Sequence, residues 1–145
     1  MYKDRKHVKS AWISSSKQEN TRKKPWGFEK SWAGFNGIHG KIVFIKAGCR
    51  TSLKYHKLKS EVLMLQKGKA EVLFGDEMTF IDPIAHPFKK QIIGPGDVLL
   101  VQSCSPYRIT AIDDCEIIEI GNNSADHPVR IEDDFGRAEP DKEKK

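Results

Sequence analysis

His56 and Glu61 are an imidazole and a carboxylate close enough in the chain to share acid–base work or a metal ion. They sit in "GCRTSLKYHKLKSEVLMLQKG", framed by Gly48 and Gly68. From Gly48, five residues lead to Lys54, one separates Lys54 from His56, four separate His56 from Glu61, and six more reach Gly68. A strand turns alternate side chains to opposite faces, so Lys54 and His56 point the same way. Glu61 opens the next apolar run and can return opposite His56 across a hairpin. Further on, Gly96 is followed by five residues, then Gln102, Ser103 and Cys104, and after two more by Tyr107. A protonated lysine has no lone pair to donate and a neutral phenol is a poor ligand, so this set pairs two metal-ligand types, His56 and Glu61, with a cation and a hydroxyl.

The elements that must position these groups read as strands. "KIVFIKAG", "EVLMLQKGKAEVLFGDEMTFID", "QIIGPGDVLLVQS" and "YRITAIDDCEIIEIGN" are short runs rich in Val, Ile, Leu and Phe. Lys67-Gly68, Gly75-Asp76, Gly94-Pro95-Gly96-Asp97 and Asp113-Asp114 break them at hairpin spacing. From Lys41 the pattern is β throughout, with no convincing amphipathic helix. Many short strands with regular turns predict an all-β sandwich or closed barrel, in which antiparallel sheets lose their exposed edges. "IDPIAHPFKKQ", with Pro83 and Pro87, predicts an excursion between strands.

At 145 residues the chain suits one compact domain with a single core. Apolar residues make up 38% and charged residues 31%, but the apolar ones cluster between Lys41 and Ile120, leaving solvated ends. No run approaches the roughly 20 apolar residues of a membrane span, and "MYKDRKHVKSAW" has no apolar core for a signal peptide. These features lead us to expect a cytoplasmic protein with no membrane partner. Cys49, Cys104 and Cys115 are far apart, which predicts free thiols rather than disulfides or a thiolate zinc site. The net charge of +5 is concentrated in the first thirty residues, at Lys3, Arg5, Lys6, Lys9, Lys17, Arg22, Lys23, Lys24 and Lys30. Without interleaved aromatic or glycine-rich signatures this segment disfavours nucleic acid as a partner. A solvated arm, or a rim suited to a phosphorylated substrate, fits it better.

On the two glycine-framed segments the chain resembles the cupin superfamily, whose motifs are G-x5-H-x-H-x3-4-E-x6-G and G-x5-P-x-G-x2-H-x3-N. It is closer still to the C-terminal cupin domain of type II mannose-6-phosphate isomerases, often fused to a mannose-1-phosphate guanylyltransferase. The family's "RPWG", "SLQYH" and "VRFEDxYGR" are matched by "KPWG" (Lys24 to Gly27), "SLKYH" (Ser52 to His56) and "VRIEDDFGR" (Val129 to Arg137). The resemblance implies a single jelly-roll β-barrel over 24–137, after a basic N-terminal extension at 1–23 and before a disordered tail at 138–145. It also implies a divalent metal held at the positions here occupied by Lys54, His56, Glu61 and Tyr107. Two of those four positions keep a ligand type, so a metal on His56 and Glu61 is the disfavoured outcome. Pro and Gly of the second motif are replaced by Gln102 and Cys104.

Two readings of Lys54 stay open: a fixed cation standing in for the metal beside Glu61, with Tyr107 bonded to the same carboxylate, or a side chain that snorkels to the barrel mouth. Trp26 reads equally as a packing anchor and as a border of the sugar site. Arg130 and Arg137 are either salt-bridged within the acidic run or a phosphate clamp, with Arg50 and Lys46 as weaker candidates. His86 reads as a loop residue, and His7, His39 and His127 have no spacing that suggests a site.

The function expected from the resemblance is that of a sugar-phosphate isomerase-like cupin. In it Lys54 polarises a carbonyl, His56 or Glu61 moves the proton, and Arg130 or Arg137 holds the phosphate. The alternative is a non-catalytic module that binds a sugar phosphate or nucleotide sugar as a sensor or regulatory subunit. A homodimer, which could also be a purely structural scaffold, is expected because cupins commonly pair through their strands.

Overall fold

The computed structural model describes residues 9–16, 20–123 and 125–137. The tail at 138–145 and residues 1–8, His7 among them, and 17–19 of the basic extension lie outside them. The described residues form eleven strands and no helix. In chain order these are β1 (Thr21–Lys24), β2 (Gly27–Phe35), β3 (Ile38–Ile45), β4 (Leu53–Tyr55), β5 (Glu61–Lys67), β6 (Ala70–Phe74), β7 (Lys89–Ile93), β8 (Val98–Val101), β9 (Tyr107–Ala111), β10 (Cys115–Gly121) and β11 (Val129–Glu132). They make two antiparallel sheets, one of six strands in the order β1-β2-β3-β10-β5-β8 and one of five in the order β11-β4-β9-β6-β7.

The strands expected from Lys41 onward are present as β3 and β5 to β10, and β7 begins at Lys89, inside the expected excursion. Sheet structure starts earlier than expected, at Thr21, and the expected boundary at residue 24 falls inside β1. The sequence "GFEKSWAGF" of β2 hides its strand because both of its faces are only partly buried, so it lacks a clean apolar alternation. Pairing along almost the whole of β3 makes it a strand nonetheless.

Alternation along the paired strands sorts the interior into layers. Cys115 faces Ile45, and Ile117 lies between Leu65 and Val43, giving an apolar floor completed by Val72, Ile109 and Ala111. Two residues along, Glu119 lies between Leu63 and Lys41, and beyond it Gly121 lies between Glu61 and His39. In the facing sheet Lys54 pairs with both Tyr107 and Arg130. The interior therefore passes from hydrocarbon at one end to ionisable groups at the other. Burying the first end supplies the folding free energy. The second end needs every charge to have a partner.

Gly68 is required in the β5–β6 turn: its φ is +95°, and a Cβ would lie 2.3 Å from the Asp114 carbonyl oxygen. Cys104 adopts φ 68° without being glycine, at the position where the resembled second motif carries Gly. The backbone conformation survives there although the residue has changed.

Candidate functional site

The polar end of the interior opens into a cavity of about 810 Å³ between the sheets. Glu61 is its centre, and its two carboxylate oxygens face different partners. Tyr107 Oη donates to Glu61 Oε1 at 2.7 Å, with His56 Nδ1 3.5 Å from the same oxygen. Lys59 Nζ lies 3.2 Å from Glu61 Oε2. All four of these residues are buried. Lys54 reaches in from β4, and its ammonium sits 4.6 Å from the centroid of the Tyr107 ring, a cation–π contact.

A second group continues from Lys59. Its ammonium is also 3.7 Å from Glu119 Oε2, which lies 2.9 Å from His39 Nε2. A carboxylate only accepts, so Nε2 of His39 carries the proton and donates. The five-residue loop between β4 and β5 holds His56 and Lys59 in place through its backbone. Asp126 Oδ2 accepts from the amides of Leu58 and Lys59 at 2.8 and 3.1 Å, and Asn122 Oδ1 accepts from Ser60 N at 2.8 Å. The amide of Cys104 donates to the His56 carbonyl at 2.6 Å. Space for the group comes from Gly121, where an added Cβ would lie 2.5 Å from the His39 ring and 2.9 Å from Lys59 Cε.

Burial, reinforced by Lys59 and Lys54 and opposed by Glu61, lowers the His56 pKa to about 4, so the imidazole is neutral near pH 7. Burial also lowers the Lys54 pKa, against the pull of Glu61 and Glu119. The Tyr107 phenol is pushed up by burial and by the same two carboxylates, so it stays protonated as a donor. Burial alone would raise Glu119, but the His39 hydrogen bond and the ammoniums of Lys59 and Lys41 bring it down to about 2.

The structure thus brings Lys54, His56, Glu61 and Tyr107 together, and it changes one pairing. Lys59, not Lys54, is the ion partner of Glu61; Lys54 lies over the phenol ring instead. The reason is geometric. Lys54 enters from the sheet opposite Glu61, beside its register partner Tyr107, whereas Lys59 lies two residues before Glu61. His39, whose spacing suggested no site, is buried in the cavity against Glu119. Neither Lys59 nor Glu119 carried a motif. The one signal was the place of Glu119 among apolar residues, inside "EIIEIG" at an inward position of β10.

Trp26 is buried in the core cluster and also lines the cavity, so its two readings coexist. Arg130 lines the cavity beside Lys54. Arg137 lines it too, but its guanidinium is bound to Asp133 at 2.9 and 3.0 Å. Arg50 is engaged by Asp134 through two bonds of 2.6 Å. His127 lines the cavity mouth, and His86 pairs with Asp76 in the excursion at 3.1 Å.

Of the ionisable groups lining the cavity, seven are lysine or arginine and four are carboxylates, so the space favours an anion. The four motif positions do not fit a metal. Tyr107 spends its proton on Glu61, and Lys54 brings a positive charge to the same spot.

No family model and no curated protein matches the sequence. Solved structures do match the shape. KdgF from Halomonas sp. is 15% identical with a TM-score of 0.60, over 72% of this chain and 87% of that one. Oxalate decarboxylase from Bacillus subtilis is 18% identical with a TM-score of 0.66, over 82% of this chain and 31% of that one. The capsular polysaccharide assembling protein CapF from Staphylococcus aureus is 13% identical with a TM-score of 0.59, over 70% and 27%. The chain has a cupin-type fold. The chain spans about a third of the decarboxylase and most of KdgF. No helix of the described residues is long and apolar enough to cross a membrane.

Proposed function

We propose that this chain is a sugar-phosphate-binding cupin of the isomerase-like kind, in which its own ammonium and hydroxyl groups occupy the motif's ligand positions. The observation that carries this is the excess of cationic side chains around the cavity, with Arg130, Lys54 and Tyr107 in one row across β11, β4 and β9. Arg130 offers the planar fork suited to a phosphate, and Trp26 and Trp32 line the same cavity as apolar surfaces for a sugar ring.

Turnover would need a base and a group that stabilises charge on a carbonyl oxygen. His56 is neutral near pH 7 and able to take a proton from the carbon beside a carbonyl and return it to the neighbouring carbon. Lys54 would give a proton to the carbonyl oxygen as it becomes a hydroxyl and take one back from the neighbouring hydroxyl as that oxygen becomes the new carbonyl. Glu61, engaged by Tyr107 and Lys59, orients these groups rather than moving protons itself. The binding-only reading is favoured by one observation: with Glu61 engaged, the base left is His56, whose pKa of about 4 makes it a weak one.

Calorimetric titration with mannose 6-phosphate, fructose 6-phosphate and unphosphorylated mannose tests the binding, and proton NMR of the same mixtures tests turnover. The expected result is binding that needs the phosphate and is lost in Arg130→Met. Equal, negligible heats from all three sugars would overturn the reading; binding without interconversion would leave the non-catalytic module.

We also propose a homodimer through the outer face of the six-stranded sheet. Val62 pairs with Leu100 and Ile120, and Met64 pairs with Val98 and Ile118, which pairs in turn with Ile42. This makes a continuous apolar band, with Leu100 as much as 73% exposed. Val62, Val98 and Ile120 of the band are also exposed, a contiguous apolar surface of the kind that marks an interaction site. A second copy of the same band is a matching apolar partner.

A further inference from the structure

We infer that Lys59 is a tethered cation occupying a divalent-metal seat formed by His39, Glu61 and Glu119, which shares only Glu61 with the four motif positions. The seat is built on three adjacent strands, β3, β10 and β5, which bring one imidazole and two carboxylates to one buried spot. Their donor atoms lie within 4.8 Å of one another. Two ligand bonds of about 2.1 Å span at most about 4.2 Å, so a first-row divalent ion would need the side chains to close by roughly half an ångström. Imidazole with carboxylates suits zinc or manganese.

The Lys59 ammonium lies between the two carboxylates, 3.2 Å from one and 3.7 Å from the other, where a cation shared by both would sit. Its position is enforced from two directions. The amide of Lys59 is fixed by Asp126, and Gly121 leaves room for the Lys59 stem and the His39 ring, which a single Cβ would close. Glu61 links this seat to the motif positions, with Oε2 turned to Lys59 and Oε1 to Tyr107. An ammonium and a divalent ion cannot share the space, so the lysine both satisfies the carboxylates and keeps metal out.

The test is removal of the lysine charge and measurement of metal, independent of any sugar. Parent, Lys59→Met, Lys59→Gln, and Lys59→Met combined with Glu119→Gln are each equilibrated with zinc or manganese at neutral pH, desalted and assayed for metal. Thermal midpoints are read with metal and with chelator. We expect well under one equivalent in the parent, about one equivalent and a metal-dependent rise in midpoint in Lys59→Met and Lys59→Gln, and loss of both effects in the double variant. Should the single variants fold only when metal is added, that dependence supports the seat. Stoichiometric metal in the parent, single variants that take up none, or variants that no divalent ion helps to fold would each overturn the inference.

Discussion

Removing one oxygen atom isolates the bond at the centre of the site. Tyr107→Phe keeps the ring, which is 2% exposed in the core and carries the Lys54 ammonium, and deletes only the hydroxyl that donates to Glu61. Both partners are buried, so water cannot replace the lost donor freely. A hydrogen bond to a charged group contributes about 1.5–3 kcal/mol, and the packing is unchanged, so we expect a loss of about 2 kcal/mol. For a chain of this size that lowers the thermal midpoint by roughly 4–8 °C. Urea unfolding followed by tryptophan fluorescence measures the loss directly. The double-mutant cycle with Glu61→Gln assigns it to the pair, with an expected coupling of about 1–3 kcal/mol. A Tyr107→Phe protein within about 0.5 kcal/mol of the parent, or a coupling near zero, would refute the placement of the phenol on that carboxylate.

The low His56 pKa sets a pH dependence. Its folded value of about 4 lies below the ordinary 6.5, so the unfolded state binds the proton first and stability falls as pH drops from about 6.5 to 4. The full effect is on the order of 3 kcal/mol, and His56→Gln should flatten that window in unfolding measured from pH 7.5 to 4. Gly121→Ala, whose Cβ would lie 2.5 Å from the His39 ring, should destabilise by about 1–3 kcal/mol although alanine suits a strand as well as glycine does. A neutral effect in denaturant unfolding would mean that His39 is free to move aside. Leu100→Lys should convert a dimer into a monomer of near-parental stability in sedimentation analysis, because the residue is exposed in the single chain; a parent that is already monomeric at high concentration would remove the proposed interface.

How far the sequence reaches depends on the range over which its patterns act. Turn pairs such as Lys67-Gly68 and Asp113-Asp114 are local, and hairpins follow from them with little ambiguity. The spacing of Lys54, His56 and Glu61 is also local, and alternation of side chains along a strand is enough to aim them at one interior. β2 was not legible, because a strand with two half-buried faces has no periodic signal.

What only the tertiary structure decided is which charges meet. His39 and Glu119 are 80 residues apart, and they touch because β3 and β10 are neighbours in register at the polar end of the interior. Lys59 takes Glu61 from Lys54 because a loop pinned by Asp126 and Asn122 delivers it from the other side. Sequence spacing fixes the face a side chain points to. The partner it finds there depends on sheet order and on which buried charge arrives within hydrogen-bonding distance, because in a low-dielectric interior a charge at contact is held strongly and one left without a partner is costly.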